Sequence, residues 1–356
     1  MHPLLTLILA ASIHPPNAAT PYRQPQLAAD QGQVVLTFGA EKSTYFASSA
    51  DQGKTFSKPV KVADAGALAL GRHRGPRATI LKDAILVSAV VGAKVSTGEH
   101  AHGLPEAGDL TLWRSVDHGK SWSHQGVVND APGSAREGFH SIALDAQGNL
   151  TATWLDLRTG KTQIYAARSS DGGRTWSKNT QIYSSPSGST CECCGPSVVT
   201  GAGETWIMFR NALNGSRDMY LTRSAAGGSF SVPQKSGTGT GTWKINACPM
   251  DGGGLVVDRG QPVAAWRRDK DVFLARSGQP EMRLGEGHDV ALARTPKGVY
   301  VAWTGAQGLE ILKPGAAKAE ILSPTGTFVN LAALPGGSLL AAWEQEGVIH
   351  TANVAP

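Results

Sequence analysis

Cys191, Cys193 and Cys194 fall within four positions, and the remaining cysteine, Cys248, follows in the segment Asn246-Ala247-Cys248-Pro249-Met250-Asp251. Three kinds of chemistry suit them. In an exported chain an even cysteine count first suggests disulfides. A bridge between adjacent Cys193 and Cys194 is strained, and any bridge inside the cluster closes a very small loop with little entropic return. A bridge from Cys248 to one cluster member is reasonable and leaves two thiols close together. The second possibility is a metal centre in which the thiolates are joined by Met250, His140 or His288. So soft a donor set favours copper as Cu(I), and less strongly zinc. A redox dithiol is the third. The spacing CxCC…CPM leaves all three open.

The charged candidates lie in short segments of similar character: Gly71-Arg72-His73-Arg74-Gly75-Pro76-Arg77, Arg136-Glu137-Gly138-Phe139-His140 and Glu286-Gly287-His288-Asp289. Guanidinium forks hold carboxylates bidentately, so Arg74, Arg77 and Arg210 are candidates for an anionic ligand, with Glu137 and Asp289 as carboxylates beside them. Arg268 ends an apolar run as Arg210 does. The same arginines would serve equally as salt bridges between elements, and His73, His140 and His288 as hydrogen-bonding struts. His100 and His102 stand in an insertion over 95–108 and are either auxiliary ligands or solvated. The chain has no phosphate-cradling glycine loop, no nucleophile elbow and no HExxH.

The elements that must position these residues show as a repeat. Ser49-Ala50-Asp51-Gln52-Gly53-Lys54-Thr55-Phe56 recurs as Ser115-Val116-Asp117-His118-Gly119-Lys120-Ser121-Trp122, and again from Ser169 as SSDGGRTW. A worn copy, Ser224 to Phe230, has lost its aspartate. The pattern suits a hairpin turn. The carboxylates of Asp51, Asp117 and Asp171 accept hydrogen bonds from their own turns, glycine supplies the positive φ, and the terminal aromatic packs beneath. An apolar, usually aromatic, strand pattern recurs seven times: 34–40, 84–92, 150–157, 205–211, 262–268, 300–305 and 339–345. A further strand pattern follows each, from Ser43, Leu110, Gln163, Asp218 and Asp271, and more weakly near Leu309 and Val348.

These Asp-boxes make the chain resemble the sialidase-like, or bacterial-neuraminidase-repeat, propellers. The resemblance implies an all-β propeller of four-stranded antiparallel blades, seven rather than the six of sialidases, with six as the alternative. In that family the Asp-boxes staple the fold and do no chemistry. It also implies that the segments leading into the inner strands converge on one axial site, where sialidases hold a substrate carboxylate in an arginine triad; Arg77 is the preferred match. A sialidase further needs a late Tyr–Glu pair. Tyr300, the last tyrosine, falls inside a strand pattern, so that mechanism is poorly supported. A ligand-binding propeller, a glycoside hydrolase and a disulfide-stapled interaction scaffold remain open as functions.

Composition agrees with β structure. Glycine reaches 43 residues and proline 20, and short apolar runs alternate with turn clusters. A net charge of +5 is spread over interspersed acids and bases, without the basic block that tracks nucleic acid. It leaves room for a small anionic or glycan ligand. Leu4 to Ala11 is an apolar run of signal-peptide length, followed by Asn17-Ala18-Ala19 as a cleavage site. The expectation is a signal peptide over 1–19 and one propeller domain over 20–356. That domain would be a periplasmic or secreted monomer with no membrane span in the mature chain, an N-terminal anchor being the alternative.

Overall fold

In the computed structural model of the chain, which describes residues 8–30, 32–97, 102–237 and 241–355, the recurring apolar runs become the second strands of seven sheets. Leu150–Asp156, sequence LTATWLD, is buried at every position. A strand covered on both faces needs no alternation with water-facing residues. It pairs antiparallel with Gln163–Ser169, from Asp156 opposite Gln163 to Leu150 opposite Ser169.

Each blade runs from an inner strand outward. Blade one comprises Arg23–Asp30, Gln33–Ala40, Ser43–Ser49 and Val60–Asp64. The inner strands of blades three to six are His140–Leu144, Ser197–Gly201, Gly254–Asp258 and His288–Thr295. Blade seven opens with Thr327–Ala333 and takes its outer strand, Ile8–Ile13, from the other end of the chain. Part of the run read above as a signal peptide is therefore a strand here, and Ile13 joins a core cluster with Tyr22, Phe38, Ala342 and Ile349.

Blade two departs from the pattern. Its innermost position is shared by Ala67–Leu68 and Arg77–Ile80, both paired with Ile85–Gly92. Residues 69–76 leave the sheet between them.

The inner strands pack one on the next around the ring, and that of blade seven packs on that of blade one. The ring is closed with seven blades, a radial arrangement that leaves only short edges at the outer strands. Each blade-to-blade contact has its own apolar cluster. Trp154, fully buried, packs with Val90, Leu110 and Leu112 between blades two and three.

The Asp-boxes join third to outer strands, on the face opposite the segments that lead into the inner strands. In the first, the Asp51 carboxylate accepts Ser49 Oγ at 2.7 Å, the Thr55 N–H at 2.9 Å and the Thr55 hydroxyl at 2.6 Å, while Ser49 Oγ accepts the Gly53 N–H at 2.8 Å. The hydrogen bonds from Thr55 and Ser49 hold the Asp51 pKa down to about 2, and Asp117 and Asp171 are lowered in the same cages. In the worn copy no carboxylate is present, and Arg168 binds the Gly228 carbonyl and Ser224 Oγ instead. No helix among the described residues is long and apolar enough to cross a membrane.

Candidate functional site

The segments leading into the inner strands gather at one end of the axis through a repeated local distortion. The register breaks between Arg23 and Gln26, between His288 and Ala291, and between Thr327 and Asn330. Inside these bulges Gln24, Asp289 and Phe328 adopt φ of 56°, 58° and 54°. A bulge re-aims side chains, and left-handed backbone at non-glycine residues is strain that the surroundings must sustain. Met250 and His73, at φ 59° and 70°, show the same strain in blades five and two.

The excursion in blade two crosses the mouth of the ring. His73 Nε2 lies 2.6 Å from Asp289 Oδ1 of blade six, and its ring meets Phe328 of blade seven edge-on at 5.0 Å. His288 Nδ1 takes the other Asp289 oxygen at 2.8 Å. The Asp289 N–H donates to Asp251 Oδ2 at 2.9 Å. Burial alone would raise the Asp289 pKa, but the hydrogen bonds and charges of both histidines outweigh it and hold it well below the carboxylate range. Burial works against His73 protonation too, yet Asp289, with Asp251, raises its pKa; Asp289 raises His288 likewise. The loop is thus a strap of residues 71–75, pinned across the axis by the His73–Asp289 hydrogen bond.

Arg74, on the same strap, is buried, with its guanidinium 4.0 Å above the Phe139 ring and 3.9 Å from Glu137. Burial lowers its pKa to about 10 against the pull of Glu137, Cys193 and Cys194. Burial raises Glu137, the Arg74 charge opposing it. Arg74 therefore ties the strap to blade three through Glu137 and Phe139.

Cys191, Cys193 and Cys194 are buried free thiols whose sulfurs lie 3.4, 3.7 and 3.9 Å apart. These separations exceed the roughly 2.05 Å of a disulfide. An ion about 2.3 Å from each sulfur requires sulfurs about 3.8–4.0 Å apart, close to those observed. Met250 packs against the trio. Gly252 permits this approach, because a Cβ there would stand 2.3 Å from the Gly195 carbonyl oxygen. Burial opposes ionisation of Cys194, but thiol hydrogen bonds from Cys191 and Cys193, the Arg210 charge and the Asp251 N–H bring its pKa well below a free thiol. The pKa of Cys193 rises because it donates to Cys191 and Cys194, and that of Cys191 rises with it.

The remaining sequence candidates stand elsewhere. Cys248 is exposed and unbridged, so the bridge from Cys248 to the cluster is not formed; its side chain faces solvent while the trio is interior. His140 is buried in blade three on Ser88 Oγ at 2.9 Å, with burial and the Arg77 charge pushing its pKa to about 3. It and His288, held on Asp289, are outside the thiol group, which among the described residues consists of the three cysteines alone. Arg210 is buried with its three nitrogens on the carbonyls of Asp251, Arg217 and Arg267. Arg268 pairs with Glu281 at 2.7 Å. Tyr300 lies in the core between blades six and seven. His102 is exposed, and His100 lies outside the described residues. Two acids escaped sequence reasoning: Asp251, at the end of the CPM segment, and Glu344, whose carboxylate accepts the Gln24 N–H at 2.7 Å. Glu344 directly follows a second-strand aromatic, Trp343, as Arg210 follows Phe209, and that shared position was the available signal.

The comparisons with known proteins are consistent with this geometry. A family model described as a BNR repeat-like domain matches residues 20–231. Among solved structures, an ulvan lyase bound to a GlcA(1-4)Rha3S oligosaccharide is 11% identical, with 97% of this chain and 95% of that one covered and a TM-score of 0.60. An α-L-arabinofuranosidase of Fusarium graminearum in complex with an iminosugar is 12% identical over 98% of both chains, with a TM-score of 0.59. A leech intramolecular trans-sialidase complexed with 2,7-anhydro-Neu5Ac is 12% identical over 100% of this chain and 70% of that one, with a TM-score of 0.58. Identities this low speak for the fold. The chain matches no curated protein in sequence.

Proposed function

The chain belongs to the BNR repeat-like family, and from that premise we propose that it is an exported ligand-binding propeller with a soft-metal centre at its axial end. The metal is copper as Cu(I), with zinc the alternative, held by Cys191, Cys193 and Cys194 and flanked by Met250. The observation that carries this reading is the convergence of three buried sulfurs within 3.9 Å. Three thiolates and a thioether are a soft set, whereas a structural zinc site wants four strong donors. The ion would replace the thiol protons that now bind the cluster together.

The axial end receives the ligand, which is small and anionic or a glycan. Arg74 and Arg77 support an anion, and two of the structural neighbours hold sugars that carry carboxylates. Sialidase chemistry is not part of this reading. Tyr300 is in the core, and Tyr22, beside an inner strand, is buried with its ring tilted against Phe38 at 4.5 Å. We place the protein in the periplasm or outside the cell on the strength of its N-terminal apolar run. N-terminal sequencing of protein recovered from cell fractions tests this, a start at Thr20 marking cleavage.

The metal reading is tested by titrating the reduced protein with Cu(I) against a chromogenic chelator without oxygen. One ion per chain should be retained, lost in Cys193→Ser and kept in Cys248→Ser. Equal retention in both variants, or none in the parent, would end the metal reading.

A further inference from the structure

Beneath the strap lies a cavity of about 220 Å³ on the propeller axis, lined by His73, Gln26, Arg77, Ser141, Asp251 and Asn330 among others. This is smaller than the roughly 300–1,000 Å³ of pockets that take organic ligands.

Arg77 faces this chamber from the start of an inner strand. Its Nη1 donates to Gln26 Oε1 at 2.9 Å and its Nη2 to the His73 carbonyl at 3.3 Å. Its Nε is buried without a hydrogen-bond partner. No carboxylate lies within salt-bridge distance of it among the described residues. The nearby acids are committed elsewhere: Asp251 accepts the N–H groups of Gly253 and Asp289, and Asp289 holds both histidines. A guanidinium cannot discharge itself by losing its proton at neutral pH, and burying it uncompensated is costly. Burial lowers the Arg77 pKa only to about 10.

Other donors face the same space. Gln26 Oε1 is taken by Arg77 and by Asn330 Nδ2 at 3.1 Å, which orients the amide and leaves Gln26 Nε2 unspent. Ser141 Oγ accepts the Val198 N–H at 3.3 Å, so its own proton is available. A fixed cation with amide and hydroxyl donors around a small axial volume is complementary to a compact anion with several oxygens.

We propose that the chamber under the His73 strap binds one small inorganic oxyanion of the phosphate or sulfate class, held by Arg77, Gln26 and Ser141. The proposal rests on the part of the functional reading that puts the ligand on the axis, and it is independent of the metal. It differs from a sugar site at the mouth because the anion lies deeper on the axis, beside His73 of the strap.

Equilibrium dialysis of the whole chain with radiolabelled phosphate and sulfate, at constant ionic strength set with a bulky organic salt, tests it. One anion per chain should bind, and Arg77→Gln should weaken binding by at least about tenfold, the loss of a charged hydrogen-bonding partner. Because Arg77→Gln removes a half-buried charge that also binds Gln26 and the His73 carbonyl, Gln26→Glu is the second variant. It places a carboxylate 2.9 Å from the guanidinium, so it should abolish anion binding while raising the melting temperature in anion-free buffer. Binding that persists in Gln26→Glu, or a parent that takes up neither anion, overturns the proposal. So does a parent that binds glucuronate but neither inorganic anion. Cu(I) retention by the same samples reads the metal separately, so either proposal can fail alone.

Discussion

His73 and Asp289 stand 216 positions apart in sequence and 2.6 Å apart in space, one from blade two and the other from blade six. Stability should follow their titration. His73 and His288 have pKa values raised above 6.5 by Asp289. Their contribution is complete below the unfolded value of 6.5 and is lost as pH rises through the raised folded values. Asp289 is depressed below 3.8, so its contribution is present above 3.8 and lost only as pH falls through its low folded value. Melting temperature should therefore decline above pH 6.5, and Asp289→Asn should flatten that decline. Thermal melts of both proteins between pH 5 and 9 check it, and parallel slopes would contradict the pairing.

The thiols should divide by accessibility. Cys248 is exposed and the other three are buried, and thiol chemistry needs access as well as a thiolate. A chromogenic disulfide reagent should modify one thiol per native chain rapidly and all four after denaturation. Cys248→Ser should remove the fast phase alone. A fast phase that survives this substitution would show the trio to be open.

Trp154 is fully buried between blades two and three, its Nε1 donating to Asp156 Oδ2 at 2.8 Å. Trp154→Ala should cost about 3–5 kcal/mol, read from the shift in a denaturant unfolding curve. A loss under about 1 kcal/mol would mean that this blade contact is poorly packed.

Fluorophore release from an aryl sialoside should be absent in the parent and unchanged in Arg77→Gln. Tyr300 lies in the core and Tyr22 is buried against Phe38, so the nucleophile of that chemistry is missing from the axis. Turnover that vanishes with Arg77→Gln would restore the hydrolase reading.

The fold was legible because its signals are local. The Asp-boxes encode a turn within eight residues, and the buried second strands read as continuous apolar runs. Seven blades could be counted from those runs alone, although the third-strand patterns near Leu309 and Val348 are weak. The site was legible only in outline. That Cys191, Cys193 and Cys194 would meet follows from their closeness in the chain, but the exposure of Cys248 depends on how its loop turns. The His73–Asp289 pair was not readable at all, since only ring closure brings blade two opposite blade six. Nor could spacing reveal that residues 71–75 leave blade two to form a strap. Ile8–Ile13 carries two readings for a plain reason: an export signal and an outer strand are both short apolar runs.

That strand fastens the chain's two ends in one sheet, with Ile13 opposite Ile349 and Ser12 opposite His350. Ile13→Ala in the full chain should weaken the clasp by about 2–4 kcal/mol, measured by unfolding. Trimming the chain at Ala19 would bare the backbone of Val348–Val354, a ready template for a strand from another molecule. Proteolytic processing would then convert a self-contained wheel into one with an adhesive spoke, able to pair with a second copy or with a passing extended peptide.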